Sequence, residues 1–202
     1  MYMNERTTKA LIQLFMSQGP ILRSKQLKQQ GFDSRGIQSL LEAKVLTRLK
    51  DGYYTLSELL PQLSDAQIAL STIPGAVLYY LSAAELHHLT NVIPSCVYVS
   101  VPNKGAIPNR PEFPPVEITR FIPRIHSMGR IMVNTASIPL VCYNRERTIC
   151  DLAKRLEETG KDVLIEAIRN YLKGIRNLPL LYEYMDALRV RDIIHPYLEA
   201  MA

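Results

Sequence analysis

The sequence predicts an α+β protein in which a small, basic, largely helical unit is followed by a larger unit with a small sheet and a helical C-terminal tail. Three observations support this prediction. Apolar residues recur at helical spacing in the first quarter of the chain, four runs rich in β-branched and aromatic residues lie between residues 96 and 143, and helical periodicity returns after residue 144. A length of 202 residues allows one or two domains. We expect a first domain over residues 1–56, a connecting segment over 57–75 and a second domain over 76–202.

The first unit contains three predicted helices. Apolar residues at helical spacing predict the first over residues 4–18, and a glycine-proline pair ends it. A short second helix fits Ser24–Gln30, with Ser24 as its N-cap and a glycine just past its C-terminal end. The third helix is capped by Asp33 or Ser34 and runs to about Lys44.

A β-hairpin is predicted directly after these helices. Residues 45–49 and 53–56 are β-type runs, and the Asp51-Gly52 pair between them is typical of a hairpin turn. Two short helices joined by a glycine-containing turn, the second beginning with polar and basic residues, are typical of a helix-turn-helix. Three helices and a basic hairpin together predict a winged helix-turn-helix over residues 1–56.

The charge distribution favours a nucleic-acid partner. Residues 1–56 contain nine lysines and arginines against four acidic residues, whereas residues 57–202 contain fifteen of each. All the excess positive charge of this +5 chain therefore lies in its first quarter. A basic module joined to a neutral body is typical of a nucleic-acid reader with a separate effector domain. A basic face that is only solvated is the alternative.

The third helix is the element expected to read DNA, because the major groove admits one α-helix whose outward side chains reach the base edges. Arg35 and Gln38 are the best candidates for base contacts, since arginine pairs with guanine and glutamine with adenine. The remaining cations would hold phosphates and set the register. The predicted DNA-binding residues are Lys25, Lys28, Ser34, Arg35, Gln38, Ser39, Arg48 and Lys50. Winged helices also serve as protein-interaction modules, so that alternative stays open.

The second unit is predicted to be a small sheet covered by helices. A connecting helix fits residues 64–71, and a largely apolar helix fits 76–89, whose regular part begins near Ser82 if Ser82 and Glu85 form a capping box. The predicted strands are 96–101, 116–121, 130–133 and 140–143. The proline-rich segment Pro102–Pro115 is expected to be a loop. The later helices are predicted over residues 144–156, 162–172, 180–188 and 190–200.

A charged stretch at the start of the helix near residue 144 has two interpretations. Structurally, Glu146 and Asp151 favour the positive end of the helix, and Arg147 with Asp151 forms an i, i+4 pair. Functionally, Arg145, Glu146 and Arg147 would form a charged patch for a partner. The structural interpretation is preferred.

Patterns for catalysis and metal binding are missing from the sequence. It contains no phosphate-binding glycine loop, no G-x-S-x-G and no H-E-x-x-H motif, and its three cysteines form no C-x-x-C pair. We therefore expect no catalytic residues, no metal and no cofactor. The alternatives are a metal-dependent nuclease that uses carboxylates such as Glu112 and Glu117, although no lysine accompanies Glu117, and a transcription factor that senses a small molecule.

The sequence also gives an expectation for location. It has no run of about 18 apolar residues that could cross a bilayer. Met1–Lys9 is polar and carries both charge signs, unlike an export signal. We expect a cytoplasmic protein without a membrane partner.

Three segments carry a resemblance to a known family: Ile21–Leu56, Tyr80–Leu89 and Tyr143–Leu152. In this order they resemble the AbiE-type abortive-infection antitoxins, which join an N-terminal winged helix to a C-terminal α+β antitoxin domain. The resemblance extends over about residues 4–173. The proline-rich Pro102–Pro115 loop is a departure that implies a modified partner surface.

The resemblance implies a non-enzymatic bacterial antitoxin that represses its own operon by binding repeats in double-stranded promoter DNA. It also implies a companion nucleotidyltransferase-like toxin, encoded beside it, whose effect the second unit counteracts with or without direct contact. Such pairs act in phage defence and in maintaining mobile elements. By resemblance, the DNA-facing residues here would be Lys25, Arg35, Gln38, Ser39, Arg48 and Lys50. A regulator without a toxin is the alternative.

Overall fold

The computed structural model describes residues 5–135 and 138–201 and shows a mixed α+β protein with two small sheets. The predicted α+β class is therefore confirmed. Residues 1–4, where the first predicted helix and the polar N-terminal segment begin, lie outside the described residues. The domain boundaries at residues 56 and 75 stay predictions.

The first sheet has three antiparallel strands and lies beside three helices. In chain order the elements are α1 (Glu5–Gln18), β1 (Leu22–Arg23), α2 (Ser24–Gln29), α3 (Ser34–Glu42), β2 (Leu46–Lys50) and β3 (Tyr53–Leu56). The strand order is β1-β3-β2, which makes β2 an edge strand. The three predicted helices and the hairpin are confirmed. Strand β1 was missed because two residues carry no periodic signal.

One glycine, Gly31, allows the chain to turn between α2 and α3. Gly31 has φ +87°, a left-handed conformation that glycine adopts without strain. It lets the N–H groups of Gly31 and Phe32 donate to the carbonyls of Lys28 and Leu27, each at 3.1 Å, which closes the end of α2. Asp33 then caps α3, since its Oδ1 accepts from the Gly36 N–H at 2.7 Å. Of the two predicted caps, Asp33 is the one used. Ser24 is the first residue of α2, and the N-cap position belongs to Arg23.

A compact apolar core holds these elements together. Its buried residues come from all three helices and all three strands: Leu11, Leu14, Phe15, Leu22, Leu27, Phe32, Ile37, Leu40, Leu46 and Leu56. Only one side of α3 enters this core, through Ile37 and Leu40. Its opposite side is left free for solvent or a ligand.

The rest of the chain builds a five-stranded mixed sheet. The elements are α4 (Asp65–Thr72), β4 (Val77–Leu78), α5 (Tyr80–Leu86), β5 (Val97–Pro102), β6 (Val116–Phe121), α6 (Pro123–Ser127), β7 (Arg130–Val133) and β8 (Leu140–Tyr143). The strand order is β6-β5-β4-β8-β7. The pairs β5/β6 and β4/β8 are parallel, and the pairs β4/β5 and β7/β8 are antiparallel. All four predicted strands are present, and residues 103–115 connect the parallel pair β5/β6.

The predicted helix over residues 76–89 is wrong as one element. Val77 and Leu78 form the central strand β4, because their backbones pair with β5 on one side and β8 on the other. The helix α5 begins at Tyr80, so the Ser82 capping box is also wrong. Ser82 Oγ instead accepts the Tyr98 N–H at 2.9 Å and links α5 to β5.

Five helices follow the sheet: α7 (Arg145–Lys154), α8 (Leu156–Thr159), α9 (Lys161–Lys173), α10 (Leu178–Leu188) and α11 (Arg191–Met201). Asn144 caps α7 by accepting the Arg147 N–H at 3.0 Å. Helix α7 lies at the centre, packed against α5, α9 and α10, and every residue from 146 to 153 is buried. Across the described ranges, no helix is both long enough and apolar enough to span a membrane.

Candidate nucleic-acid interface

The outward side of α3 carries a polar, unshielded set of side chains. Arg35, Gln38 and Ser39 are exposed, and their spacing of i, i+3 and i+4 places them on one face of the helix. Arg35 makes no hydrogen bond or ion pair with any residue that the structure describes. Gln38 Nε2 donates to Glu42 Oε1 at 3.0 Å, which leaves its amide oxygen as an available acceptor.

A groove of about 220 Å³ separates α3 from the β2–β3 hairpin. Lys28, Ser34, Gln38 and Arg48 contribute to its lining, so half of the predicted DNA-binding residues converge there. Both charged residues in the lining are cations. The arrangement can accept an anion at the groove while the neighbouring face of α3 remains open. Lys25 lies outside the groove, exposed on α2.

The hairpin cations have partners already, which the sequence did not indicate. Arg48 lies 3.5 Å from Asp51 Oδ1 and 3.3 Å from Glu112 Oε1, atom to atom, with its side chain 48% exposed. Lys50 Nζ donates to the Thr72 carbonyl at 3.0 Å, at the end of α4. Arg48 therefore lines the groove, whereas Lys50 contacts the end of α4 in the connecting segment.

A further cation, Arg23, was missed. Its guanidinium lies 5.2 Å from the centre of the Tyr53 ring, and Lys50 Nζ lies 5.3 Å from the same ring. Burial, followed by repulsion from Arg23, lowers the pKa of Lys50. Arg23 precedes the predicted second helix in the chain, and no local pattern indicates that it lies beside the hairpin.

The predicted partner patch at Arg145, Glu146 and Arg147 is wrong as an exposed surface. Glu146 and Arg147 are buried and Arg145 is half-buried. Glu146 Oε1 accepts the Tyr171 hydroxyl and the Asn177 N–H, both at 3.1 Å. These contacts hold α7 against α9 and the start of α10. Because α7 is covered on several sides, even some of its charged residues lie in the interior.

The predicted Arg147–Asp151 pair is present, but it is buried instead of solvated. Arg147 Nε donates to Asp151 Oδ1 at 2.9 Å, and Arg147 Nη1 donates to the Ile125 carbonyl at 2.8 Å. The guanidinium also lies 4.4 Å from the centre of the Tyr143 ring. Burial raises the pKa of Asp151 to about 6, although Arg147 acts in the opposite direction.

The carboxylates of the nuclease alternative are held apart by different arginines. Glu112 pairs with Arg48, whereas Glu117 Oε1 lies 2.9 Å from Arg155 Nη1. Among the described residues, no three His, Cys, Asp or Glu side chains gather as a metal site would require. Burial raises the pKa of the Cys142 thiol to about 12, so this thiol is protonated at neutral pH.

A cavity of about 600 Å³ lies beside the start of α4, the C-terminal part of α5 and the start of β5, and is the space relevant to the small-molecule alternative. Its polar lining includes Asp65, Glu85, His88 and Cys96. These groups are mostly exposed to solvent, so the cavity by itself specifies no ligand.

The chain matches no protein-family model and no curated protein sequence. The expected relation to the AbiE-type antitoxins therefore depends on the three sequence segments alone.

Proposed function

We propose that this protein is a DNA-binding regulator whose residues 1–56 form a winged helix-turn-helix and bind duplex DNA through α3. The observation that carries the proposal is the groove between α3 and the hairpin. Lys28, Ser34, Gln38 and Arg48 converge there, beside the exposed face that bears Arg35. This groove lies in the quarter of the chain that contains all the excess positive charge.

The dimensions and chemistry of α3 suit a major groove. Its nine residues span about 13 Å, and the side that bears Arg35, Gln38 and Ser39 is exposed. Arg35 offers a guanidinium with no competing partner among the described residues, which favours bidentate contact with guanine. Lys25, Lys28 and Arg48 would contact phosphates, so affinity should fall with salt by a slope of about 0.9 for each phosphate neutralised.

The regulator is further proposed to be an antitoxin that represses its own promoter. This part rests on the resemblance of the three segments, and the second unit would counteract a companion nucleotidyltransferase-like toxin. Co-expression of the neighbouring gene with and without this chain tests it. Growth arrest by the neighbour alone and recovery with this chain are expected; a harmless neighbour would contradict the antitoxin role without affecting DNA binding.

The test of DNA binding is a titration of wild type and Arg35→Ala against the duplex upstream of the protein's own gene. Arg35→Ala should weaken specific binding by about 1–3 kcal/mol, because it removes a base contact. Arg124→Ala is the matched control, since Arg124 is also exposed but lies on α6. Equal affinities for the two variants would contradict the assignment of α3 as the reading helix.

A further inference from the structure

The proline-rich segment of residues 103–115 contacts the first unit. It reaches the open edge of β2, where the Glu112 N–H donates to the Leu49 carbonyl at 3.0 Å. The pairing of β2 with β3 shifts register between Arg48 and Lys50, which leaves Leu49 as the extra residue of a bulge. The Leu49 carbonyl at this bulge is therefore the group that binds the segment to β2, and we call this hydrogen bond the anchor.

This anchor places a carboxylate beside a proposed DNA contact. Glu112 Oε1 lies 3.3 Å from Arg48 Nη2, and the Glu112 and Arg48 side chains are 65% and 48% exposed. Arg48 also lines the groove between α3 and the hairpin. Glu112 therefore stands at the rim of that groove, joined to the same guanidinium that a phosphate would contact.

From these contacts, and resting on the proposed DNA-binding function, we infer that Glu112 is an intramolecular competitor of DNA phosphate for Arg48. A guanidinium that forms a close pair with a carboxylate has fewer donors to offer a phosphate. The carboxylate also repels the phosphate backbone. Because the Glu112–Arg48 pair is exposed, it competes only weakly with phosphate. Segment 103–115 therefore lowers the DNA affinity of the first unit without abolishing it.

This arrangement gives the second unit a route to the DNA-binding surface. The segment belongs to the second unit, between β5 and β6, while its anchor lies on the hairpin. Any event in the second unit that draws Glu112 away from β2 would remove one of the two carboxylates paired with Arg48, leaving Asp51, and would tighten DNA binding. By linkage, DNA binding would favour that same movement of Glu112.

The experiment measures binding of a short fluorescein-labelled duplex of mixed sequence by the full chain at several salt concentrations. Glu112→Gln keeps the size of the side chain and the backbone N–H but removes the charge. It should bind about two- to fivefold more tightly than wild type at low salt. Its salt slope should be steeper than that of wild type by up to about 0.9, the value for one phosphate contact, because Arg48 would contact phosphate more fully.

Two further variants separate competition from simple repulsion. Glu58→Gln makes the same change in net charge at an exposed residue just after β3 and should leave affinity near the wild-type value. In an Arg48→Gln background, Glu112→Gln should have a much smaller effect, because the contested cation is gone and only the repulsion between the carboxylate and phosphate is removed. An equal gain in that background, or an equal gain from Glu58→Gln, would overturn the inference.

The outcomes also distinguish this inference from the proposed function. If wild type binds the duplex and Glu112→Gln binds it equally well, only the competition is refuted. If no variant binds duplex DNA at any salt concentration, the DNA-binding function is refuted and the inference falls with it. Equal circular dichroism spectra of all variants establish that the comparison is made between folded proteins.

Discussion

Helices α3 and α7 carry an arginine close to their N-terminal ends, but they place it in opposite environments. Arg35 on α3 is exposed and has no partner among the described residues, whereas Arg147 on α7 has 0% of its surface exposed. Helix α3 buries one side against a small core, while α7 is packed against α5, α9 and α10. The number of elements that cover a helix, and not its charge content, decides where its arginines lie.

The two environments give the arginines different roles. A buried guanidinium loses its hydration, and for Arg147 the contacts with Asp151, the Ile125 carbonyl and the Tyr143 ring replace part of it. Arg35 keeps its hydration and can exchange it for a ligand. Arg147 therefore serves the packing of the fold, whereas Arg35 is available for recognition.

The sharpest test of this comparison is the free energy of unfolding of two alanine variants. Arg147→Ala should lose about 3–5 kcal/mol, because it leaves the Asp151 carboxylate buried without its partner. Arg35→Ala should change stability by less than about 0.5 kcal/mol. Urea unfolding followed by circular dichroism measures both. Similar losses in the two variants would show that exposure does not separate the roles of these arginines.

The second prediction concerns the pH dependence of stability. The pKa of Asp151 is about 6 in the folded protein, against about 3.9 in an unfolded chain, so the folded state holds the proton more tightly. The stability of wild type relative to Asp151→Asn should therefore fall by about 3 kcal/mol as pH rises from about 4 to about 6, and level off above that. Chemical denaturation across this range measures the difference. A constant difference, or one that rises with pH, would contradict the raised pKa.

The smallest expected effect compares one glycine from each region. Gly31 and Gly129 both have positive φ, of +87° and +73°, so alanine is strained at either position. A Cβ at Gly31 would meet no described atom within 4 Å, whereas one at Gly129 would lie 2.9 Å from Arg147 Cβ and from Asn144 Oδ1. Gly129→Ala should therefore cost about 1–2 kcal/mol more than Gly31→Ala. Thermal unfolding of both variants measures the two losses of stability. Equal losses would mean that α7 shifts to accommodate the added methyl group at residue 129.

Local patterns predicted the elements that are long or have a distinct turn. The four strands of residues 96–143 and the Asp51-Gly52 hairpin were found because β-branched residues and turn residues act through neighbouring positions. Strands β1 and β4 were missed because two residues form a strand only when other strands pair with them. In the candidate site, the exposed face of α3 followed from helical spacing. The contacts of Arg48 with Glu112 and of Lys50 with Thr72 join residues 64 and 22 positions apart, beyond any local pattern.

The amino-acid sequence alone determined that this chain has a basic first quarter, that α3 is amphipathic, and that a sheet lies between helices. Those properties depend on residue type and on spacing within a few turns. Only the tertiary structure decided that Glu146, Arg147 and Asp151 of α7 are buried and that a proline-rich segment brings Glu112 to Arg48. Burial and ion pairing depend on which distant elements meet, and that is settled when the whole chain packs.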